Sequence, residues 1–543
     1  MAYAPTLTES QLERVRVFTK PRQVAAGDVL YNPNDDTPPV YVVLEGKIRI
    51  VSMAGGVEDT VALYEPGQFS GELLMIAGRR SIYRCQAVEA SRLLELSAEN
   101  LRTLISKDAE LSEIFMRTFL ARRLSMSSHG RTNVLMLGSR YSAQTLALRE
   151  FLTRDGHPFA YVDLDTDHGS QELLDRFHVS SDDVPIVICN GEQILRSPST
   201  RELAHALGFN SNIDTSQVRD IVVVGAGPAG LAAAVYAASE GLDVLVIERT
   251  APGGQAGSSS RIENYLGFPT GLSGQELANS AIAQSEKFGA KIMVARTVQS
   301  LNCDERPYRI TLDDGQQIAA RSIVLATGAT YNQPALPNID RFAGCGIYYN
   351  ATFMEGQLCR GEAVIVIGGG NSAGQAAVFL AQNTKGVRML VRSAGLAATM
   401  SRYLIRRIEE NPLIQIHFDS ELVNLVGGDH LEEVSWRDKT TGEVTTQAVR
   451  HVFVMAGASP KTGWLAGCLS LDSRGFVLTG TDLDDVLPPR PWPLARRPYM
   501  LETSLPGVFA VGDARSGNVK RVAAAVGEGS IVVHMVHQVL TDM

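Results

Sequence analysis

The sequence predicts a multidomain protein: an N-terminal β domain, a small α/β domain, and then two α/β domains of the dinucleotide-binding type. Three observations support this fold class. Glycine-punctuated strands run to about residue 97, strands alternate with helices over 133–209, and two strand–glycine turn–helix units open at Ile221 and Val364. A chain of 543 residues has room for such an arrangement at roughly 100–200 residues per domain.

The composition is that of an ordinary globular protein, with 45% hydrophobic and 20% charged residues. A net charge of −9 argues against a nucleic-acid partner, because such binding needs clustered Lys and Arg to neutralise phosphates. We see no signal peptide and no apolar run near the roughly 20 residues that cross a bilayer, so we expect a cytoplasmic protein without a membrane span. Six scattered cysteines without a C-x-x-C pair argue against a zinc site and a disulfide-stapled secreted fold.

The first predicted domain covers residues 10–128. Its strands, such as VYVVLEGKIRIVS around Gly46, are short and are separated by glycine turns. From Ala98 to about Ser127 the apolar residues recur at helical spacing, and Ser128–Gly130 ends that pattern.

The second predicted domain covers residues 131–210. Its predicted strands are NVLMLG, AYVDLD and PIVIC, and its predicted helices run through LALREFL, QELLDRF and RELAHALG. This alternation is typical of a small α/β layer domain. The polar stretch 210–217 is interpreted as a linker.

The first dinucleotide motif follows the strand IVVV and opens a helix. The first glycine permits the tight turn, the second lets the backbone approach a pyrophosphate, and the third lets helix and strand pack closely. The helix N-terminus attracts the phosphates. Glu248 ends the next strand, where an acid accepts hydrogen bonds from ribose hydroxyls. The motif is Gly225-Ala226-Gly227-Pro228-Ala229-Gly230.

The second dinucleotide motif follows the strand VIVI, and its second strand, VRMLV, ends in Arg392. A carboxylate there would repel a 2′-phosphate, whereas arginine can pair with it, so the sequence favours NADPH over NADH. Arg402, at the start of the next helix, either supplies a second charge or is a solvated helix residue. The motif is Gly368-Gly369-Gly370-Asn371-Ser372-Ala373.

Residues 218–543 resemble the thioredoxin reductase branch of the pyridine nucleotide-disulfide oxidoreductases. The motifs GAGPAG, GGQ, IENYLGFP, ATGA, GGGNSA and VFAVGD occur in that family's order. The resemblance implies Rossmann-like domains, with FAD in 217–337 and 460–543 and NADPH in 338–459. It also implies a homodimer.

Further site residues follow from the same resemblance. In the family, a Gly-Asp pair holds the FAD ribityl chain and an Arg-x-Ala backbone meets the isoalloxazine ring. Besides the first motif and Glu248, the FAD site would comprise Arg249, Gly254, Gln255, Asn264, Ala326, Thr327, Gly328, Gly512, Asp513, Arg521, Val522 and Ala523. The NADPH site would comprise Gly368, Gly370, Asn371, Ser372, Ala373, Arg392 and Arg402.

The cysteine pair of the family is missing. Its disulfide reductases carry C-A-T-C just before the second motif, where this chain has YNATFM. Alignment on Ala-Thr places Asn350 and Phe353 at the cysteine positions, and alignment back from the glycines places Ala351 and Met354 there. Neither alignment supplies a sulfur that can form a disulfide.

Two cysteines flank this position. Cys345 and Cys359 are either a non-standard redox pair or ordinary buried thiols. The resemblance implies hydride transfer from NADPH to FAD and then to an unidentified acceptor, either a thioredoxin-like protein or a small molecule such as a quinone or oxygen. A disulfide reductase with non-standard cysteines and a redox sensor with little turnover remain as alternatives.

The second domain is similar to thioredoxin or glutaredoxin folds. Val184-Pro185 stands where that fold places its cis-proline, and Ser139–Ser142 stands where a C-P-Y-C would fall. Serine forms neither a thiolate near neutral pH nor a disulfide, so the similarity implies a docking or adaptor role.

The first domain resembles the cyclic nucleotide-binding β-roll. The matching residues are Gly71-Glu72-Leu73 and Arg80-Ser81, followed by a helix. In that family the glutamate binds the ribose 2′-hydroxyl, the arginine binds the cyclic phosphate and the serine supports it, which implies cAMP or cGMP as a regulator. Arg79 is an alternative to Arg80, and many domains of this fold bind nothing, so both outcomes stay open.

Overall fold

The computed structural model describes residues 4–52, 58–126, 134–166, 183–189, 193–211, 213–484 and 486–542. Over these ranges the four predicted parts follow one another in the predicted order, which confirms the fold class. The predicted helix through QELLDRF and the predicted break at Ser128–Gly130 lie outside the described residues.

In its described residues, the N-terminal β domain consists of two antiparallel sheets and four helices. The sheets have the strand orders β1-β7-β3 and β2-β6-β4-β5. Phe115 and Phe119 of the last helix pack on Phe69 in the core of this domain. The predicted long helix is divided at Asp108, whose carboxylate accepts the N–H of Leu111 and so starts a new helix. The elements are β1 (Lys20–Val24), β2 (Val29–Tyr31), β3 (Val40–Glu45), β4 (Ile48–Ser52), β5 (Asp59–Tyr64), β6 (Arg84–Ala87), β7 (Ser91–Leu96), α1 (Glu9–Arg16), α2 (Leu73–Ile76), α3 (Ala98–Lys107) and α4 (Ala109–Met126).

The small α/β domain has a four-stranded sheet in the order β11-β10-β8-β9. The Val184–Pro185 peptide bond before β10 is cis, as predicted. The edge strand β11 was not predicted. The polar linker is held at its start, where the Asn210 side chain forms two hydrogen bonds with the backbone of Val294. The elements are β8 (Val134–Gly138), β9 (Ala160–Asp163), β10 (Ile186–Cys189), β11 (Gln193–Arg196), α5 (Ala143–Asp155) and α6 (Thr200–Ala206).

The first dinucleotide domain is built on a seven-stranded sheet in the order β14-β13-β12-β17-β16-β15, with β28 beside β17. The strands around β12 are parallel and buried, which explains their continuous Val and Ile runs. The elements are β12 (Arg219–Val224), β13 (Val244–Ile247), β14 (Lys291–Met293), β15 (Val298–Asn302), β16 (Tyr308–Leu312), β17 (Gln317–Leu325), β28 (Val508–Ala510), α7 (Pro228–Ser239), α8 (Gly254–Gly257), α9 (Gly274–Lys287) and α13 (Val522–Asp542).

The second dinucleotide domain has a five-stranded parallel sheet in the order β19-β26-β20-β21-β22, and a three-stranded antiparallel sheet beside it. A two-stranded pair, β18 (Ala329–Tyr331) with β27 (Ala458–Pro460), joins the two dinucleotide domains. The other elements are β19 (Ile347–Tyr348), β20 (Ala363–Ile367), β21 (Gly386–Leu390), β22 (Ile414–His417), β23 (Ser420–Gly427), β24 (Leu431–Asp438), β25 (Val444–Ala448), β26 (His451–Val454), α10 (Phe353–Leu358), α11 (Asn371–Leu380) and α12 (Arg402–Glu409).

The C-terminal helix α13 corrects one expectation from the sequence. By length and composition it is long and apolar enough to cross a membrane, whereas no such segment was expected. In the structure it packs on α7, and at Gly529 the two helices approach so closely that a side chain would overlap the Ala229 carbonyl oxygen. Its inner apolar residues, including Val532 and Val536, belong to the core of the first dinucleotide domain.

Cys303 and Cys468 form a disulfide within the first dinucleotide domain. Their Cα atoms are 6.0 Å apart, and 165 residues separate them in the chain. The spacing of the cysteines did not predict this bond. Of the remaining cysteines, Cys85, Cys189 and Cys359 are buried thiols, and Cys345 is a half-buried thiol.

Three domains meet at Arg79. Its guanidinium lies 3.2 Å from the carboxylate of Asp155 in the small α/β domain and 3.6 Å from that of Glu286 in the first dinucleotide domain. It also lies over the ring of Phe209, and all three charged side chains are at most 6% exposed. This buried cluster fixes the N-terminal β domain to the rest of the chain.

Candidate dinucleotide-binding chamber

A cavity of about 2310 Å³ lies between the two dinucleotide domains. We call it the chamber. Both glycine-rich motifs open into it, and two side chains of α5 in the small α/β domain, Glu150 and Arg154, also line it. Its volume is more than twice that of an ordinary single-ligand pocket, which is roughly 300–1,000 Å³.

The first motif is shaped for close approach of a phosphate. Gly225 has φ +105°, and a side chain there would overlap the carbonyl oxygen of Ala326. A Cβ at Gly227 would have 3.8 Å to its nearest neighbour, so the backbone at Gly227 faces open space. Gly230 is packed against the carbonyl of Gly225, which gives it the structural role expected of the third glycine.

The helix that follows this motif begins without a side-chain cap. Gly227 is its N-cap and Pro228 its first residue. Helices α1, α3, α5, α6, α9 and α10 have Ser or Thr caps. An uncapped first turn leaves N–H groups available to a phosphate in the chamber.

Glu248 is held in place at the end of β13. One carboxylate oxygen accepts the N–H of Ala226 at 2.8 Å, and the other accepts the N–H of Thr250 at 3.0 Å. The Thr250 hydroxyl also donates to the second oxygen, at 3.2 Å. A carboxylate has about four acceptor sites, so about one remains for a ribose hydroxyl. The side chain is buried and lines the chamber, as a ribose-binding residue requires.

The other residues predicted for FAD mostly line the same chamber. Gly230 and Ala523 are not among the described residues that line it. Burial raises the pKa of the Asp513 carboxyl, and Lys520, at 3.9 Å, acts in the opposite direction. The lining set includes Pro228, Ala229, Arg249, Gly254, Gln255, Asn264, Ala326, Thr327, Gly328, Gly512, Asp513, Arg521 and Val522.

The second motif repeats the arrangement of the first. Gly368 has φ +136° and lies against the carbonyl group of Met455, and α11 begins at the uncapped Gly370. Gly368, Gly370, Asn371 and Ser372 line the chamber, whereas Ala373 is fully buried behind it. Both motifs therefore fit the phosphates of a dinucleotide.

The basic residues near the second motif differ in part from those predicted. Arg392 lines the chamber. Arg402 is exposed at the first turn of α12 and is not among the described lining residues. Lys439, after β24, lines the chamber instead, and its Nζ lies 3.5 Å from the carbonyl oxygen of Arg392. No motif in the sequence points to Lys439, because this residue follows a strand of the separate antiparallel sheet.

The two candidate cysteine positions face different surroundings. Asn350 lines the chamber, where its Oδ1 accepts the hydroxyl of Ser258 at 3.2 Å and its Nδ2 donates to Glu150 at 3.3 Å. Phe353 begins α10 and is 73% exposed. In the other alignment, Ala351 is buried and Met354 is half-buried.

The flanking cysteines are not paired with each other. Cys359 is fully buried, and burial raises the pKa of its thiol to about 12. Burial also raises the pKa of Cys345. Among the described residues that line the chamber, none is a cysteine.

Tyr331 is a lining residue that sequence reasoning missed. It lies on β18, between the two dinucleotide domains, and lines the chamber as Ser372 of the second motif does. Burial raises the pKa of this phenol. Tyr331 therefore brings a phenol to the chamber wall where the two dinucleotide domains join.

The candidate nucleotide residues of the N-terminal β domain lie around α2. Glu72 is buried, and burial raises the pKa of its carboxyl to about 7, while Arg123 and Arg122 act in the opposite direction. The Ser81 hydroxyl donates to the carbonyl of Tyr83 at 2.8 Å. Gly71 has φ +105° and precedes α2, which Leu73 begins.

The two adjacent arginines have different partners. The buried ion pairs of Arg79 hold it at the domain junction. Arg80 is 35% exposed, and its Nε lies 2.8 Å from Asp36, which is 71% exposed. Only Arg80 of the pair is therefore accessible to a ligand.

The geometry agrees with comparisons to known proteins. The model of the family "Pyridine nucleotide-disulphide oxidoreductase" matches residues 219–529. The chain belongs to this family. The model "Cyclic nucleotide-binding domain" matches residues 21–108. The family's cofactors are FAD and NADPH, and the chain is an NAD(P)H-dependent oxidoreductase of the thioredoxin reductase type.

Individual relatives are thioredoxin reductases. The thioredoxin reductase of Treponema pallidum (strain Nichols) is 33% identical over 315 residues, which is 58% of this chain and 95% of the relative. The bifunctional thioredoxin reductase/thioredoxin of Mycobacterium leprae (strain TN) is 30% identical over 312 residues, which is 58% of this chain and 64% of the relative.

Two solved structures extend the comparison. Lactococcus lactis thioredoxin reductase (FR conformation) is similar at 28% identity with a TM-score of 0.54, covering 60% of this chain and 100% of that chain. T. acidophilum thioredoxin reductase is similar at 29% identity with a TM-score of 0.52, covering 59% and 98%.

Proposed function

We propose that this protein oxidises NADPH and delivers the electrons from FAD directly to an acceptor, without a cysteine relay of its own. The observation that carries the proposal is Asn350, an amide held by Ser258 and Glu150 in the chamber, at the position that alignment on Ala-Thr assigns to a redox cysteine of the family. The other alignment places Ala351 and Met354 at the cysteine positions, and these residues also lack a thiol. A carboxamide cannot form a disulfide, so this position cannot store an electron pair.

We assign the first motif and Glu248 to the FAD pyrophosphate and ribose, and Asp513 to the ribityl chain. We assign the second motif and Arg392 to NADPH. FAD, when bound, accepts a hydride from the reduced nicotinamide and passes electrons on. With these assignments, residues 217–337 and 460–543 form the FAD domain and residues 338–459 form the NADPH domain. The chain passes between the two domains at the strand pair β18–β27.

The identity of the electron acceptor distinguishes this proposal from its two alternatives, a disulfide reductase with non-standard cysteines and a redox sensor with little turnover. The holoprotein is reduced anaerobically with NADPH, and flavin reoxidation is followed by absorbance after mixing with oxygen, a quinone or oxidised thioredoxin. We expect rapid reoxidation by one non-thiol acceptor and unchanged rates in Cys345→Ser and Cys359→Ser. Thioredoxin reduction that either substitution abolishes would contradict the proposal. Slow reoxidation by every acceptor would instead indicate a redox sensor.

We further propose that cyclic nucleotide binds the N-terminal β domain, with the phosphate on Arg80 and the ribose on Glu72. The partly exposed guanidinium of Arg80 supports this assignment. The phosphate would replace the Asp36 carboxylate as the partner of Arg80. Calorimetry with cAMP and with cGMP tests the assignment. We expect Arg80→Ala to weaken binding roughly 10- to 100-fold, and Asp36→Ala to strengthen it.

The matched control is Arg92→Ala, an exposed arginine of the same domain that is paired with Glu45. It should bind like the unmodified protein. A binding heat that survives Arg80→Ala unchanged would contradict the assigned site.

We also propose a homodimer. Tyr236 of α7 and Ile531 of α13 are apolar residues left 43% and 46% exposed on neighbouring helices, which supports a further contact at this face. Light scattering should give twice the chain mass of 58.6 kDa, and a monomer mass at micromolar concentration would contradict the proposal.

A further inference from the structure

The small α/β domain contributes a cation to the chamber. Arg154 is the penultimate residue of α5, and its side chain is 14% exposed. Its Nη2 lies 2.8 Å from the carbonyl oxygen of Ala251, 3.2 Å from that of Gly254 and 3.4 Å from that of Pro252. A single guanidinium nitrogen therefore donates hydrogen bonds to three backbone carbonyl oxygens of one loop.

That loop, residues 251–254, forms part of the first dinucleotide site. It has two successive glycines in the left-handed region, Gly253 at φ +108° and Gly254 at φ +57°. Glycines lose much conformational freedom when fixed, so such a loop needs external contacts to stay ordered. Gly254 packs against the Gly227 turn, where a Cβ would lie 2.8 Å from the Gly227 Cα.

The loop leads directly into α8, whose first residues face the chamber. Gln255 lines the chamber and donates its Nε2 hydrogen bond to the carbonyl of Ala329. Displacement of residues 251–254 would therefore move both the wall beside the pyrophosphate turn and the Gln255 side chain.

Two further contacts hold Arg154 in this position. Glu150, one helical turn earlier, lies 3.4 Å from its Nη1, and the same carboxylate accepts from Asn350 at 3.3 Å. Gln275 of α9 donates to the Arg154 carbonyl oxygen at 2.9 Å. The side chain and the backbone of Arg154 are therefore both held by contacts with other side chains.

We propose that Arg154 is a positioning residue of the flavin site, so that the small α/β domain acts as a structural wall of that site although it has no thiol motif. The inference rests on the proposed binding of FAD at the first motif. Arg154 acts through the 251–254 loop, which it keeps in contact with the Gly227 turn.

The test compares FAD binding in Arg154→Ala, Arg154→Lys and the control Gln144→Ala. Gln144 is also on α5, but its hydrogen bonds go to Ser197 and Pro198 within the small α/β domain. Apoprotein is titrated with FAD by flavin fluorescence, and the visible spectrum and the midpoint potential of the bound flavin are recorded.

We expect Arg154→Ala to raise the FAD dissociation constant roughly 10- to 100-fold and to shift the flavin spectrum and potential, because charge-assisted hydrogen bonds to the loop are lost. Arg154→Lys keeps the charge but not the planar fork, so its dissociation constant should be intermediate. Gln144→Ala should bind FAD like the unmodified protein.

Folded Arg154→Ala protein with an unchanged dissociation constant, spectrum and potential would overturn the inference. Should Arg154→Ala not fold, Arg154→Lys decides by hydrogen exchange. We expect faster amide exchange in residues 251–257 alone, and unchanged exchange there would overturn the inference. Failure of the unmodified protein to bind FAD would instead refute the proposed function.

Discussion

Replacement of Arg79 by methionine removes a cation that pairs with two buried carboxylates from different domains, and leaves Arg123 as a second buried cation close to them. Asp155 and Glu286 are 3% and 4% exposed, and neither can regain water without separating the domains. Burial already raises the pKa of Glu286, with Arg79 acting against that rise. Methionine keeps most of the side-chain volume, so the change tests charge rather than packing.

We expect Arg79→Met to lower the free energy of unfolding by about 3–5 kcal/mol at neutral pH, the cost of breaking a buried ion pair from one side. The loss should shrink at lower pH. Without Arg79 the folded-state pKa of Glu286 lies further above its unfolded value, and the stability held by a carboxyl with a raised pKa is lost as pH rises. The deficit should therefore be larger at pH 8 than at pH 5.

Urea unfolding followed by far-UV circular dichroism measures the effect. Adding Glu286→Gln to Arg79→Met should restore a large part of the loss, because one uncompensated charge is gone. Arg117→Met is the control, since Arg117 forms a surface pair with Glu113 at 70% and 67% exposure, and it should cost less than about 0.5 kcal/mol. A loss no larger than that control, or no rescue by Glu286→Gln, would refute the reasoning.

Three further predictions concern the cofactor, the pH dependence and the thiols. Arg392→Ala should raise the KM for NADPH roughly 10- to 100-fold with little change in kcat, because a charge-assisted contact to phosphate contributes about 1.5–3 kcal/mol. The KM of Lys439→Ala measures how much the neighbouring Lys439 contributes to NADPH binding. Steady-state kinetics that show equal use of NADH by the unmodified protein would contradict this. Glu72→Gln should flatten the stability profile between about pH 4.5 and 7, where a carboxyl with its pKa raised to about 7 loses up to roughly 3 kcal/mol of stability as pH rises. A profile identical to that of the unmodified protein in urea unfolding would show the prediction wrong. Thiol titration of the unfolded protein should give four reactive cysteines before reduction and six after, and six before reduction would disprove the Cys303–Cys468 bond.

The local motifs were readable from the sequence. Each strand, glycine turn and helix occupies a short contiguous stretch, and the steric need for glycine at Gly225 and Gly368 leaves a mark in the residue type itself. The loss of the cysteine pair was equally readable, because Asn350 and Phe353 are incapable of disulfide chemistry in any conformation. The edge strand β11 was missed because its four residues show no alternation between buried and exposed positions.

Contacts between distant parts of the chain were decided only by the tertiary structure. Arg154 donates a hydrogen bond to Ala251, which is 97 residues away in the chain, and Cys303 forms a disulfide with Cys468, which is 165 residues away. Lys439 comes from a separate sheet and lines the chamber near the second dinucleotide motif. Packing also distinguishes the adjacent Arg79 and Arg80, since only the tertiary structure shows which guanidinium faces buried carboxylates and which stays partly exposed. Hydrophobic periodicity reports which face of an element is buried, but not which element covers it. The sequence by itself therefore determined the order of domains and the two dinucleotide motifs, whereas the packing of domains against one another determined which side chains complete the chamber.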